Sequence, residues 1–252
     1  MLLLQSGRRP GTYAKERFRH GARAWRRRVL RAPQVGLVAA ATVTLAGGLL
    51  VEGVAKLVFG FVAGAFAMAL VALRDLIPPH VERWRRGWEG ERRTGRVLRT
   101  LERRGWFVVH DVELPDESAN LDHVVVGDAG VFLLETKSYA GECSLHDDAL
   151  RIVLPDDPSE PPRTRRLGPR IRRAAADLKG RIQTETGDRV WVHAVVVLWA
   201  AFPQGIAVVD GVVYLHGSHL AEWLESQPPS GSPFHPAAIA GAVRRIAVAA
   251  RP

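Results

Sequence analysis

The sequence predicts an α/β fold, a mixed sheet flanked by helices, preceded by a transmembrane helical hairpin. Three observations predict it. From residue 80 onward the order is helix, several strands, helix, strand, which is the pattern of a layered α/β sandwich. Ahead of it, Val35–Val51 and Leu57–Leu73 are two runs of 17 residues without a charge. Within it, Gly127-Asp128-Ala129-Gly130 joins two β-type runs and reads as a hairpin turn.

The membrane hairpin comes first in the chain. A spanning helix needs about 20 apolar residues, with a lower limit of roughly 17, and both runs reach that limit. Both are rich in Gly and Ala, which favours close helix contact in lipid and permits a homo-oligomer. Glu52-Gly53-Val54-Ala55-Lys56 connects them. Arg23, Arg26, Arg27, Arg28 and Arg31 precede the first run, and Arg74, Arg83, Arg85 and Arg86 follow the second. Positive flanks stay inside, so both ends are expected in the cytosol. A pair of buried core helices is the alternative, but such helices seldom lack a polar stripe. The expected organisation is a basic arm (1–34), two transmembrane helices (35–76), a globular domain (80–226), and a linker with a C-terminal helix (227–252). The expected location is the cytoplasmic membrane. Pro78-Pro79 breaks the chain before the globular domain.

A helix is expected from about Trp88 to Gly105, with Thr94, Val97, Leu98 and Leu101 on its apolar face. Glu91 lies seven residues before Leu98 and continues that face. An acid on the buried side of a helix needs a reason, because an unpaired buried charge is costly. Trp106–Val109 reads as a short strand, and Leu114–Asn120 as a polar loop. Leu121–Val126 and Val131–Thr136 are the two strands of the hairpin, and Leu145–Leu154 is a weaker strand. Arg163–Arg181 is basic and mostly helical, the helix starting near Pro169 and stopping before Gly187. Val190–Trp199 is nearly all apolar, as for a strand covered on both faces. Val212–Leu215 is a short strand, Ser218 is placed to cap a helix to Glu225, and a last helix runs from Pro236 to Ala250.

The hairpin fixes a geometry. A turn centred between Asp128 and Ala129 pairs Gly127 with Gly130, and the same register places Asp122 opposite Glu135. Opposed residues share a face with Cβ atoms about 4.5–5.5 Å apart, and Lys137, two residues on, lies on it too. Two opposed carboxylates repel unless something neutralises them. Mg²⁺ binds carboxylate oxygens, lowers the pKa of bound water, and leaves Lys137 to stabilise charge on a phosphate. The alternative is a surface salt-bridge ladder on an edge strand.

Net charge is +9, with 35 Lys and Arg against 26 acids. Residues 1–34 hold ten of the basic residues and only one acid, Glu16, which accounts for the whole excess. The globular part is therefore balanced, and the arm reads as a contact for anionic membrane lipids, with nucleic acid as its competitor. A single cysteine, Cys143, excludes an intramolecular disulfide and a Cys-rich zinc cage.

Taken in order, Gly87-Trp88-Glu89-Gly90-Glu91, His110-Asp111-Val112, Leu114-Pro115, Asn120-Leu121-Asp122-His123-Val124-Val125-Val126, Gly130-Val131-Phe132-Leu133-Leu134-Glu135-Thr136-Lys137 and Gly141 resemble the nuclease-related domain (NERD) family over roughly residues 84–200. That family is similar to PD-(D/E)xK nucleases. The resemblance implies a restriction-endonuclease-like fold and Glu91, Asp122, Glu135 and Lys137 as active-site set. It implies Mg²⁺ or Mn²⁺ on Asp122, Glu135 and Glu91, and supplies a reason for the inward Glu91. The family tends to carry Asn-Pro and then Gln, thought to support the site, where this chain has Gly168-Pro169 and Arg172.

The expected activity is hydrolysis of DNA or RNA phosphodiesters, with DNA ahead of RNA. The other reading is an inactive nucleic-acid-binding or scaffolding module, favoured by the missing Gln. Arg165, Arg166, Arg170, Arg172 and Arg173 are candidates to contact phosphate, or else form a solvated or lipid-facing helix. His123 points away from Asp122 and is expected to pack, and His193 is expected to be a satisfied core histidine.

Overall fold

The computed structural model describes residues 79–114, 120–154, 162–231 and 233–249, with isolated positions between 36 and 68. The chain divides into two compact units at Arg85/Arg86. The expected membrane runs lie mostly outside the described residues. Among those described, no helix is long and apolar enough to cross a membrane.

The first helix of the globular part, α1, is Pro79–Glu102. It begins about nine residues before the expected Trp88. Proline is compatible with that start because the first helical N–H has no intrahelical partner to lose. Strands β1 (Phe107–Val112), β2 (Leu121–Gly127) and β3 (Gly130–His146) follow. Then come β4 (Ala149–Val153), β5 (Arg163–Arg165), α2 (Gly168–Thr186) and β6 (Val192–Ala201). Strands β7 (Ile206–Val209) and β8 (Val212–His216) lead through a 3₁₀ turn, Gly217–His219, to α3 (Leu220–Glu225) and α4 (Pro236–Ala249).

The eight strands form one mixed sheet in the order β1-β2-β3-β6-β8-β7, with β4 on the second half of β3 and β5 on β4. β3 pairs with β6, and β6 with β8, in parallel. The other pairs are antiparallel. Side-chain alternation divides the core into two layers. On one face Val124, Val126, Val131, Leu133, Val196 and Leu198 pack with Ile171, Leu178 and Ile182 of α2 and with Ile239 and Val243 of α4. On the other, Val125, Phe132, Leu134, Val195 and Val197 pack with Leu98 and Leu101 of α1 and with Leu220 and Leu224 of α3. Valine and isoleucine suit this pleated, doubly covered sheet.

Several elements differ from the expectation. β3 runs ten residues past Thr136, because after a register shift between Ser138 and Glu142 it takes β4 as a partner. The expected Leu145–Leu154 strand is thus the end of β3, a turn and β4. Arg163–Arg165 is a strand held by backbone pairing to β4 rather than a prelude to the helix. Ser218 does not cap α3; the His216 side chain accepts the Ser218 N–H, and the short 3₁₀ turn precedes the helix.

Candidate functional site

The β2–β3 hairpin has the expected register, from Gly127–Gly130 to His123–Leu134. One step further, the carboxylate of Asp122 folds onto the neighbouring strand, where its Oδ2 accepts the Thr136 backbone N–H at 2.7 Å. The Lys137 Nζ donates to Glu135 Oε1 at 2.6 Å, and Arg170 Nη2 of α2 lies 3.7 Å from the same oxygen. The three residues expected at this hairpin end are therefore together, with Arg170 as an addition.

Glu91 reaches the site from the other layer, on α1. Two features seat that helix. At Gly90 a Cβ would meet the Ser138 Cβ at 2.9 Å, so only glycine permits this closeness to β3. One turn on, the buried Thr94 hydroxyl accepts the Thr136 hydroxyl at 3.0 Å and the Trp199 indole N–H at 2.9 Å. These bonds tie α1 to β3 and β6 beside the carboxylates.

The electrostatics join the layers. Burial, then Asp122 and Asp111, push the Glu91 carboxyl up to about 9, against an opposing pull from Lys137. Burial and then Glu135 push Asp122 up to about 7, with Lys137 and the Thr136 N–H opposing. Burial works to lower the Lys137 ammonium, but Glu135 and Asp122 outweigh it and hold its pKa above the ordinary lysine value. Lys137 is accordingly a cation and a proton donor in hydrogen bonds, not a base.

Asp111 is the residue that sequence reasoning missed. It is buried, has φ of 50°, and stands in β1 between the pairs His110–His123 and Val112–Leu121, which puts it level with Asp122. A non-glycine residue in left-handed backbone is uncommon and costs conformational energy. Nothing in an extended-strand reading of His110-Asp111-Val112 signals that turn toward the site.

Among the described residues, no three His, Cys, Asp or Glu side chains come close enough together to hold a metal ion. The donor chemistry nevertheless suits a hard divalent cation. All the acids are carboxylates, and the burial, and then the mutual repulsion, that raise Glu91 and Asp122 disfavour charged forms that a bound cation would stabilise.

The other candidates separate. Arg166 pairs with Asp148 at 3.3 Å, and Arg172 is held by Asp210 at the β7–β8 turn, with its Nη1 donating to the Asp210 carbonyl at 2.9 Å. Arg172 thus serves that turn, and Arg165 and Arg173 are exposed. Only Arg170 is brought to the carboxylates. Gly168 has a local reason, since a Cβ there would come 3.3 Å from the Tyr214 hydroxyl. His110 and His123 lie Nδ1 to Nδ1 at 2.9 Å. Burial and then Arg99 push His110 down to about 4. Burial and then His110 push His123 well below the usual range. Both rings are neutral near pH 7 and pack beneath the site, as expected for His123. His193 is only half-buried and stacks on Phe132 with centroids 4.9 Å apart, so it is not a fully enclosed core residue.

Residues 86–199 match the model of the nuclease-related domain family. An uncharacterized protein of Bacillus anthracis is 35% identical over 75 residues, which are 29% of this chain and 35% of the relative. The chain therefore spans about a third of the length of the curated relative it matches. No solved structure matches significantly.

Proposed function

We propose that the nuclease-related domain of this chain is a metal-dependent nuclease of the PD-(D/E)xK type, hydrolysing DNA or RNA phosphodiesters. The observation that carries this reading is that Asp122, Glu135 and Lys137 meet at the end of the β2–β3 hairpin, with Glu91 of α1 and Asp111 of β1 both acting electrostatically on Asp122 or its neighbours. Asp122 and Glu135, with Glu91, would hold Mg²⁺ or Mn²⁺. When bound, such an ion supplies a Lewis acid for the phosphoryl oxygen and a water of lowered pKa.

The chain's own residues do the rest. Thr136 N–H orients Asp122 by holding one of its oxygens. Lys137 presents an ammonium to charge developing on the phosphate, the role its raised pKa fits. Arg170 stands beside Glu135 and is placed to receive a flanking phosphate. Arg165, Arg166 and Arg173 extend the basic surface; Arg172 is committed to Asp210.

The domain works, in this proposal, at the cytosolic face of a membrane. The basic arm 1–34 and the runs 35–51 and 57–73 form the tether, and their Arg-rich flanks set its orientation. The described helical positions in that region agree in character. Val54, Val58, Phe61, Val62 and Met68 are exposed, Phe61 by 80% and Met68 by 72%, an apolar surface suited to lipid. A binding or scaffolding module without catalysis is the second reading. It is favoured by the lack of three converging ligands among the described residues.

The test is cleavage of single- and double-stranded DNA and RNA by the detergent-solubilised full-length protein, with Mg²⁺, Mn²⁺ or EDTA. Metal-dependent cleavage that falls at least about 100-fold in Asp122→Ala and Lys137→Ala supports the nuclease, on the scale expected for losing transition-state stabilisation. Cleavage equal in the variants, or absent from folded wild type, overturns it.

A further inference from the structure

A cavity of about 660 Å³ opens at the beginnings of β3 and β6, among Gly130, Lys179, Arg189, Trp191 and His193. The carboxylates lie five residues further along β3, about 16 Å away at the rise of an extended strand. The cavity is therefore separate from the site described above. Its volume falls in the range of small-molecule sites, roughly 300–1,000 Å³.

Its walls are specific. Trp191 is 65% exposed, an unusual setting for the largest side chain. One side of its ring is covered by the Lys179 ammonium, 4.7 Å from the centroid. His193 is held flat by stacking on Phe132 at 19° between planes. The linker after α3 also lines the cavity, fastened where the Ser230 N–H donates to the Asp128 carbonyl at 2.9 Å. Gln183 adds an amide to the lining. Among the described residues no acidic side chain lines the cavity, while Lys179 and Arg189 both do.

An indole platform, two cations, an amide and an imidazole match a ligand with a planar ring and a phosphate. We propose that this cavity is a nucleotide-binding site, with the base against Trp191 and the phosphate toward Lys179 and Arg189. Aromatic stacking accepts any base, and a guanidinium matches phosphate geometry.

Isothermal titration calorimetry on the full-length protein tests it, with AMP, GMP, CMP and UMP as probes beside adenosine and inorganic phosphate. At least one nucleotide is expected to bind at one site, tenfold or more tightly than adenosine or phosphate alone. Trp191→Ala and Lys179→Glu should each weaken it tenfold or more, and Arg189→Gln should weaken it too. All three positions line the surface, so thermal melts should find the variants folded. Asp122→Ala should leave this binding unchanged, which keeps it distinct from the nuclease reading. No binding of any of the four, binding indifferent to the Trp191 and Lys179 variants, or phosphate binding as tightly as the nucleotide would overturn the proposal.

Discussion

Replacing Thr94 by Val tests whether the junction of α1 with the sheet is held by the hydroxyl at its centre. Valine has nearly the same shape, so packing is preserved and no cavity opens. What disappears is the acceptor shared by the Thr136 hydroxyl and the Trp199 indole N–H. The Thr136 hydroxyl can rotate to another partner, whereas the indole N–H is fixed by its ring. A donor left unpaired costs about 1–3 kcal/mol, so with only the indole N–H stranded Thr94→Val is expected to lose about 1–3 kcal/mol. Thr94→Ser keeps the hydroxyl and gives up one methyl group, a loss of about 1 kcal/mol. Urea denaturation followed by far-UV circular dichroism measures both. A Thr94→Val variant within about 0.5 kcal/mol of wild type, or a Thr94→Ser variant equally damaged, would refute the reasoning.

Two further outcomes follow from protonation. Without divalent metal, folded Glu91 binds a proton up to about pH 9, whereas the unfolded chain releases it near 4.5. The folded state thus holds the extra proton, and this group's contribution to stability should fall as pH rises between those values, by at most about 1.4 kcal/mol per pH unit. Glu91→Gln should flatten that slope and raise stability at pH 8; a variant as pH-dependent as wild type, in EDTA, would count against the buried carboxylate. Cys143 is fully buried and burial, then Glu142, pushes its thiol up to about 11, so alkylation by iodoacetamide at pH 8 should be at least 100-fold slower than in urea. Mass spectrometry of the labelled protein would disprove this by finding rapid modification of the native state.

The parts of the fold legible in the sequence are those where a side-chain pattern and a turn point to one answer. The Gly127–Gly130 turn set the β2–β3 register, and that register alone brought Asp122, Glu135 and Lys137 to one face. The α2 helix, from Gly168 to its stop at Gly187, was legible for a similar reason, with Pro near its start and Gly at its end. Elements held by backbone pairing left no such trace. The residues of β5, Arg163-Thr164-Arg165, are all exposed and offer no apolar face, and β7 is four apolar residues with Ile206 and Val208 outward, too short and too uniform to show a period. Asp111 was hidden because its role depends on a left-handed backbone angle, which no period of hydrophobicity encodes. The position of Arg172 against Asp210 likewise depends on β7, the strand that went unread.

Strand β3 changes company along its length. Residues 131–138 lie between β6 on one side and, through Leu134, β2 on the other, whereas residues 143–146 are held by β4. One continuous peptide is thus interior beam at one end and cantilever at the other, and Glu135 and Lys137 sit where the support changes. Hydrogen exchange should be slow through Leu134 and faster beyond Glu142. The far end of the β4–β5 arm is β5, whose residues are all exposed, whereas Leu150 and Ile152 anchor β4 in the core; substitutions in β5 are therefore expected to cost less stability than substitutions in β4.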